Sequence, residues 1–192
     1  MVIFKPAGLA CHPGPRTPDA LEGMLPRLGR HRPALAHRLD RDTSGCLALG
    51  LNPKGLKALA QAFSDGRAEK LYWAQLARLP DAASGTIDAP LLKTSTAATG
   101  WRMVVAGAGK PAITHWQVLD AAQRLVAFRP ETGRTHQIRV HAAHIGAPIM
   151  GDPVYGDGVG PMRLHARALA ITLADGRVIS AEAPLPADWS LR

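Results

Sequence analysis

Hydrophobic positions in the first third of the chain predict two strands and two helices. Val2–Phe4 is a short apolar run closed by the turn signal Lys5-Pro6-Ala7-Gly8. The apolar run 46–51 predicts a buried strand. Asn52-Pro53 then opens a helix over 54–63, where apolar residues recur at helical spacing. A shorter helix is predicted to open at Thr17-Pro18, with threonine as its cap and proline in its first turn.

The rest of the chain is dominated by strand patterns. A helix is predicted over 135–144, whereas the segment 80–109 is rich in Gly, Ser and Thr and is predicted to be loop-like and mobile. Strands outnumber helices and no βαβ alternation occurs. The sequence therefore predicts an α+β fold, a single domain over 1–192 with a mostly antiparallel mixed sheet flanked by helices and loops. The predicted strands are 70–77, 113–119, 124–128, 165–173 and 177–181, the last four as two hairpins.

Composition excludes several classes of protein. The 192 residues are 46% hydrophobic and 20% charged, and no apolar run approaches the length of a membrane span. The start of the chain resembles a strand entering a turn rather than a signal peptide. Cys11 and Cys46 form no CxxC pair, so neither a disulfide framework nor a thiolate metal site is predicted. We expect a cytoplasmic monomer with no membrane partner.

The charge balance indicates a polyanionic partner. The net charge is +8, the pI is about 10.2, and 17 of the 23 basic residues are arginine. Arginine binds phosphate in a bidentate manner and stacks on bases, which lysine does less well. Nucleic acid is the simplest partner of this kind.

A charged segment, His37-Arg38-Leu39-Asp40-Arg41-Asp42-Thr43-Ser44-Gly45, precedes the strand predicted at 46–51. It places Asp40 beside two arginines. Opposite charge nearby favours an ionised carboxylate, and the apolar run behind it excludes water, so Asp40 is a candidate reactive anion. These residues alone also allow a carboxylate that caps a turn or pairs with Arg38 at the surface.

A second dense segment is Thr132-Gly133-Arg134-Thr135-His136-Gln137-Ile138-Arg139-Val140-His141, which continues to Gly146-Ala147-Pro148-Ile149-Met150-Gly151-Asp152-Pro153-Val154-Tyr155-Gly156. Together with the Asp40 segment it resembles the RluA family of RNA pseudouridine synthases. The resemblance covers essentially the whole chain. Weaker matches follow the family's order: Lys5-Pro6-Ala7-Gly8 with His12-Pro13-Gly14, Glu69-Lys70-Leu71-Tyr72, and Leu164-His165-Ala166.

The resemblance implies the pseudouridine synthase catalytic fold and an isomerase that converts uridine to pseudouridine in ribosomal RNA and/or tRNA. The base leaves its N-glycosidic bond, turns over and rejoins the same ribose through C5, so the chemistry requires no cofactor. The chain starts inside what resembles the family's first strand and has no room for an N-terminal S4 RNA-binding domain, which bears on substrate choice. Cys46 stands where the family more often has leucine, an apolar exchange.

Three residues are assigned to catalysis through this resemblance. Asp40 is the essential carboxylate, which could attack the ribose, attack the base or remove a proton. Arg139 is its ion-pair partner, and Tyr72 stacks on the target base and handles the C5 proton. From the residues alone, Arg139 could be an exposed helix cation and Tyr72 a core aromatic. Trp73, on the opposite strand face, is the better core candidate.

Further residues are assigned to RNA backbone contact or loop support. No metal is expected, because His136, His141 and His144 lack an acidic residue of the His-Glu-x-x-His type. Two other functions remain open: a non-catalytic RNA-binding or ribosome assembly module of the same fold, and a metal-dependent hydrolase built on the histidines. The presence of Asp40 favours the enzyme over the module. The predicted RNA-contact residues are His37, Arg38, Arg41, Arg134, His136 and Gln137.

Overall fold

A computed structural model describes residues 1–14, 17–28, 33–96 and 100–189. They form two compact units, the first built from Met1–Lys70 and the residues from His165 onward, the second from Leu71–Leu164. Strands predominate over helices in both, which confirms the α+β class. The assignment of the whole chain to a single domain stays a prediction. No helix among these residues is long and apolar enough to cross a membrane.

Within the described residues there are eleven strands, three α-helices and one 3-10 helix. The helices are α1 (Leu21–Met24), α2 (Pro53–Ser64) and α3 (Gln137–His144), and the 3-10 helix Leu25–Leu28 directly follows α1. The strands are β1 (Val2–Lys5), β2 (Ala34–Leu35), β3 (Ser44–Gly50), β4 (Ala68–Gln75), β5 (Ser84–Asp88), β6 (Leu91–Thr96), β7 (Gly100–Val105), β8 (Ile113–Asp120), β9 (Leu125–Pro130), β10 (Leu164–Thr172) and β11 (Val178–Glu182).

The first unit is organised around β3, in which every residue is buried. Strands β1 and β2 pair antiparallel with it, and β10 pairs with it in parallel through His165 and Ala166. Strand β11 pairs antiparallel with β10 as the predicted hairpin. Helix α2 covers this sheet with Leu59 and Ala62, which join the core cluster of the unit. Asn52 caps the helix, because its side chain accepts a hydrogen bond from the Gly55 N–H at 2.8 Å.

The second unit contains an antiparallel sheet with the strand order β4-β9-β8-β5 and a separate two-stranded sheet, β6-β7. The predicted hairpin of β8 and β9 is confirmed. Core residues from β4, β8, β9 and α3 pack into one cluster. Leu91 and Met103 of the small sheet pack with Val140 of α3 in a second one.

Two predictions about local structure were wrong. The segment 80–109 was expected to be loop-like but contains β5, β6 and the whole of β7. Strands β5 and β6 are mostly exposed and polar, so little hydrophobic alternation marks them, whereas β7 has apolar residues at the alternate positions Trp101, Met103 and Val105, a strand signal that was missed. Helix α1 does not begin at Thr17-Pro18, because the Thr17 backbone exchanges hydrogen bonds with Gly14. The helix starts at Leu21 after the N-cap residue Ala20.

Candidate active site

Asp40 lies in the loop between β2 and β3 of the first unit. It is partly buried, and its carbonyl accepts a hydrogen bond from the Thr43 N–H at 3.2 Å, which closes a turn. Leu39 and Thr43 are buried on either side of it, and the Leu39 N–H donates to Sγ of Cys11 at 3.4 Å. The backbone that carries the predicted catalytic carboxylate is therefore fixed on both sides.

A buried lysine anchors the same loop. Lys5 has no exposed surface, and its Nζ donates to the carbonyls of Pro6, Leu9 and Arg41 at 2.7, 2.8 and 2.9 Å. Burial lowers the pKa of Lys5 to about 8, although the negative charge of nearby groups, which include Asp40, acts to raise it. The weak Lys-Pro-Ala-Gly motif of the sequence thus has a physical role, since it supplies a buried ammonium that ties β1 to the Asp40 loop.

The Thr43-Ser44-Gly45 motif is explained by its contact with β10. Gly45 has φ +114°, and a Cβ there would overlap the backbone of Ala166, so only glycine fits. The Ser44 hydroxyl lies 2.8 Å from Nδ1 of His165, and both side chains are buried. Two motifs far apart in sequence therefore form one packed support directly behind the Asp40 loop.

The basic residues around Asp40 have different surroundings. Arg38 is exposed, and its side chain makes no hydrogen bond or ion pair among the described residues. Arg41 forms a bidentate pair with Asp42, at 2.9 and 3.1 Å, which raises the pKa of Arg41. Arg38 is therefore the one of the two arginines whose charge is available to a phosphate.

His37 has contacts that favour loop support, one of the two roles predicted for it, over RNA backbone contact. Its Nε2 accepts a hydrogen bond from the Ala48 N–H at 2.9 Å, and its ring packs on Phe63 with centroids 4.5 Å apart. Burial, together with the charge of Lys70, lowers the pKa of His37 to about 4. The imidazole is neutral near pH 7 and lacks the charge that a phosphate contact would use.

Arg139 forms a buried ion pair with Asp152 in the second unit. Its Nε donates to Oδ2 at 2.7 Å and its Nη2 to Oδ1 at 2.8 Å, and the side chains are 6% and 0% exposed. Burial acts to raise the pKa of Asp152. The bonds from Arg139 and from the N–H groups of Val154 and Tyr155 outweigh burial and hold that pKa below its usual value. Arg139 is thus a buried, oriented cation and not the exposed helix residue that its position alone would suggest.

A row of rings extends from this ion pair. The guanidinium of Arg139 lies 5.2 Å from the ring centre of Tyr155, whose hydroxyl is 2.9 Å from Nδ1 of His136. His136 adopts φ +54°, a left-handed conformation that ends the loop before α3, and its ring contacts Trp101. This conformation explains why α3 starts at Gln137 and not at the predicted residue 135. The predicted RNA-contact residue His136 is therefore held in the same cluster as Arg139.

Gln137 is buried, which favours loop support, one of the two roles predicted for it, over RNA backbone contact. Its Oε1 accepts from the Thr132 hydroxyl and the Arg134 N–H, and its Nε2 donates to the Ile113 carbonyl and the Thr114 hydroxyl. Its role is therefore to shape the turn between β9 and α3. Arg134 is exposed at the outside of this turn and keeps its assignment as a prediction, although its Nε donates to the carbonyl of Pro111 at 3.0 Å.

Tyr72 is partly buried in β4, opposite Phe128 of β9, and packs against the core cluster of the second unit. Trp73 was expected to be the better core residue, but it is only partly buried as well. The structure therefore gives Tyr72 a packing contact in addition to the predicted role in base stacking, which stays a prediction.

The histidines of α3 do not assemble a metal site. His141 is buried, with Nδ1 2.9 Å from the Thr114 hydroxyl and Nε2 3.0 Å from the Ala89 carbonyl, so both ring nitrogens are engaged inside the protein. His144 is exposed. No group of three or more His, Cys, Asp or Glu residues suited to a metal ion occurs in the described parts of the chain.

Comparison with known proteins identifies the family. A model of the RNA pseudouridylate synthase family matches residues 1–144. The chain belongs to this family. The enzyme is 50% identical to an uncharacterised RNA pseudouridine synthase of Zymomonas mobilis, over 97% of this chain and 90% of the relative. It is 36% identical to ribosomal large subunit pseudouridine synthase D of the same organism, over 73% of this chain and 48% of that protein.

A solved structure, human RNA pseudouridylate synthase domain containing 1, matches the enzyme with a TM-score of 0.80 and 28% identity, over 96% of this chain and 79% of that one. The chain spans somewhat under two thirds of the length of two other curated relatives. The family and fold predicted from the motifs are confirmed, and the enzyme is an RNA pseudouridine synthase, an isomerase.

Sequence reasoning missed three residues of the cluster around Arg139, which are Asp152, Tyr155 and Trp101. Asp152 and Tyr155 lie in the quoted segment 146–156, so the motif itself was a usable signal for them. Trp101 lies in the segment 80–109, where its alternation with Met103 and Val105 is a usable strand signal but does not mark it as a site residue.

Proposed function

We propose that the enzyme isomerises specific uridines in ribosomal RNA and/or tRNA, with Asp40 as the essential carboxylate and no cofactor. The observation that carries this proposal is the anchored loop, which fixes Asp40 between buried neighbours and beside the buried ammonium of Lys5. The similarity to a relative named for the large ribosomal subunit favours ribosomal RNA as a substrate. We place this activity in the cytoplasm and expect a monomer.

The reaction sets the demands on these residues. The bond between N1 of uracil and C1′ of ribose breaks, a bond between C5 and C1′ forms, and the proton of C5 leaves to solvent while N1 regains one. Atoms and electrons balance without an oxidant or a second substrate. A fixed carboxylate can act as a nucleophile toward the ribose or the base, or as a base.

Arg139 and Tyr72 complete the proposed catalytic set. The fork with Asp152 uses Nε and Nη2 of Arg139 and orients its guanidinium, and a guanidinium has five N–H donors. Pairing of Arg139 with Asp40 and stacking of Tyr72 on the target base are parts of the proposal. Arg38 and Arg134 are exposed and supply positive charge for the RNA backbone.

Release of tritium from RNA labelled at uridine C5 tests the proposal, because pseudouridine formation removes the C5 hydrogen. We expect release from ribosomal RNA or tRNA transcripts without added metal or cofactor. Pseudouridine mapping in cells with and without the gene then identifies the uridine. RNA binding without tritium release from either RNA would favour the non-catalytic module.

A further inference from the structure

Trp101 is a large aromatic side chain left half-exposed on the second unit. It lies near the start of β7, in the small sheet with β6, and 49% of its surface is exposed. Burial of a tryptophan normally removes a large apolar area from water, so an exposed one in an ordered strand suggests a surface that is covered by a ligand. The neighbouring charges indicate which ligand this is.

The ring has a basic neighbour on the adjacent strand. Lys93 of β6 is exposed and places its Nζ 5.2 Å from the ring centre of Trp101. Within the described part of the chain, Lys93 makes no salt bridge. An exposed indole beside an unneutralised cation combines the two features that bind single-stranded nucleic acid, a stacking surface and a phosphate contact.

The ring also joins the row of side chains that extends from Arg139 through Tyr155 and His136. The centroids of Trp101 and His136 are 5.1 Å apart with an interplanar angle of 33°, and His136 contacts Tyr155, which in turn lies against Arg139. Trp101 is thus the outermost ring of a row that starts at a proposed catalytic residue. A nucleotide bound to it would lie at the outer end of this row, with His136 and Tyr155 between it and Arg139.

We propose that Trp101 and Lys93 bind one unpaired nucleotide of the RNA substrate outside the reaction site, with its base on the indole and its phosphate on the ammonium. The proposal rests on the proposed function, because it takes the substrate to be RNA. Lys93 is long and exposed, so its ammonium can turn from the indole to a phosphate when a base stacks there. Only an unpaired base offers its face, so this site favours loop or single-stranded RNA over a duplex.

Binding of fluorescein-labelled oligoadenylate, single-stranded or paired with oligouridylate, tests this inference. Stacking is tolerant of sequence, so the probe need not be the natural substrate. Trp101→Ala should weaken binding of the single strand by about tenfold, and Trp101→Phe should retain most of the affinity. Binding of the duplex should change little. Leu119→Ala, at a similarly exposed apolar residue of β8, is the matched control and should stay within about twofold of wild type.

Lys93→Gln gives an independent readout. It should lower the slope of log affinity against log salt by about 0.7, the value for one phosphate contact on a single strand. Melting temperatures of all variants check whether the contact between Trp101 and His136 is needed for folding, and we expect them to stay close to that of the wild type. Equal affinity of wild type and Trp101→Ala for the single strand, or an equal loss on the duplex, would overturn the proposal.

Tritium release is measured on the same variants. For Trp101→Ala we expect a raised KM and a kcat close to that of the wild type, because the residue positions RNA outside the reaction site. If the wild type releases no tritium, the proposed function fails, whereas the binding comparison still decides the role of Trp101.

Discussion

Replacing Asp152 with asparagine tests whether the buried pair with Arg139 stabilises the second unit. Asparagine keeps the shape and one oxygen for the N–H groups of Val154 and Tyr155, which donate to Oδ1 at 2.9 and 3.1 Å. It removes the charge and turns an amide N–H toward a guanidinium N–H. Removal of one partner from a buried pair leaves an uncompensated charge, which costs about 3–5 kcal/mol.

This magnitude is large enough to measure in a chain of this length. Each kcal/mol lowers the Tm of a domain of this size by about 2–4 °C, so the Tm of Asp152→Asn should fall by about 6–20 °C. Urea unfolding followed by circular dichroism gives the free energy directly. The matched control is Asp175→Asn, which breaks the ion pair between Asp175 and Arg177. The side chain of Arg177 is 75% exposed and that of Asp175 is 55% exposed. Its Tm should hardly change, because solvent screens exposed pairs.

The reasoning is refuted if Asp152→Asn is no less stable than Asp175→Asn. A double variant provides a second check. Arg139→Met combined with Asp152→Asn leaves neither charge alone in the interior, so it should be less destabilised than the sum of the single variants. Additive losses would mean that the two side chains do not interact as a pair.

Three further predictions concern the two units separately. If the Tyr72 hydroxyl handles the C5 proton, the Tyr72→Phe variant should fold and bind RNA normally but fail in isomerisation. A large fall in the Tm of Tyr72→Ala, with normal activity of the protein that remains folded, would instead make Tyr72 a packing residue. Wild-type affinity for RNA should fall at least about tenfold from about 50 to 200 mM salt. Arg38→Gln should reduce the slope of log affinity against log salt by about the value of one phosphate contact, and an unchanged slope would show that Arg38 does not contact a phosphate. The pKa of His37 is about 4 in the folded protein and about 6.5 in the unfolded chain, so between these values the unfolded chain binds a proton that the folded protein does not. The free energy of unfolding should therefore be about 3 kcal/mol lower near pH 4 than above pH 6.5. Urea unfolding of His37→Gln should lack this loss, and an unchanged pH profile would contradict the assignment.

The parts of the fold that sequence could predict are those where local pattern and packing agree. The hairpin of β8 and β9 is the clearest example, because its strands alternate or are continuously apolar. The strands β6 and β7 escaped prediction for a physical reason. They are held mainly by pairing with each other, and only Leu91 and Met103 are buried, so β6 has no hydrophobic face and the apolar alternation of Trp101, Met103 and Val105 in β7 is short.

The candidate site was predictable where a motif marks it and not where burial decides the role. Asp40 and Arg139 follow from motifs. Gln137 is polar and is the first residue of α3, features typical of a surface residue, yet the turn that it organises buries it. The partner of Arg139 is thirteen residues away in a loop, and a buried ion pair leaves no trace in hydrophobic periodicity.

Asp40→Asn, assayed by tritium release and by RNA binding, tests the essential role of Asp40 most directly. The substitution preserves shape and hydrogen bonding but removes the charge, and the anchor of Lys5 on the loop is formed by backbone carbonyls that stay in place. We expect tritium release to fall by more than about a hundredfold, with RNA affinity and Tm nearly unchanged. Turnover within about tenfold of the wild type would contradict the assignment of Asp40 as the essential carboxylate.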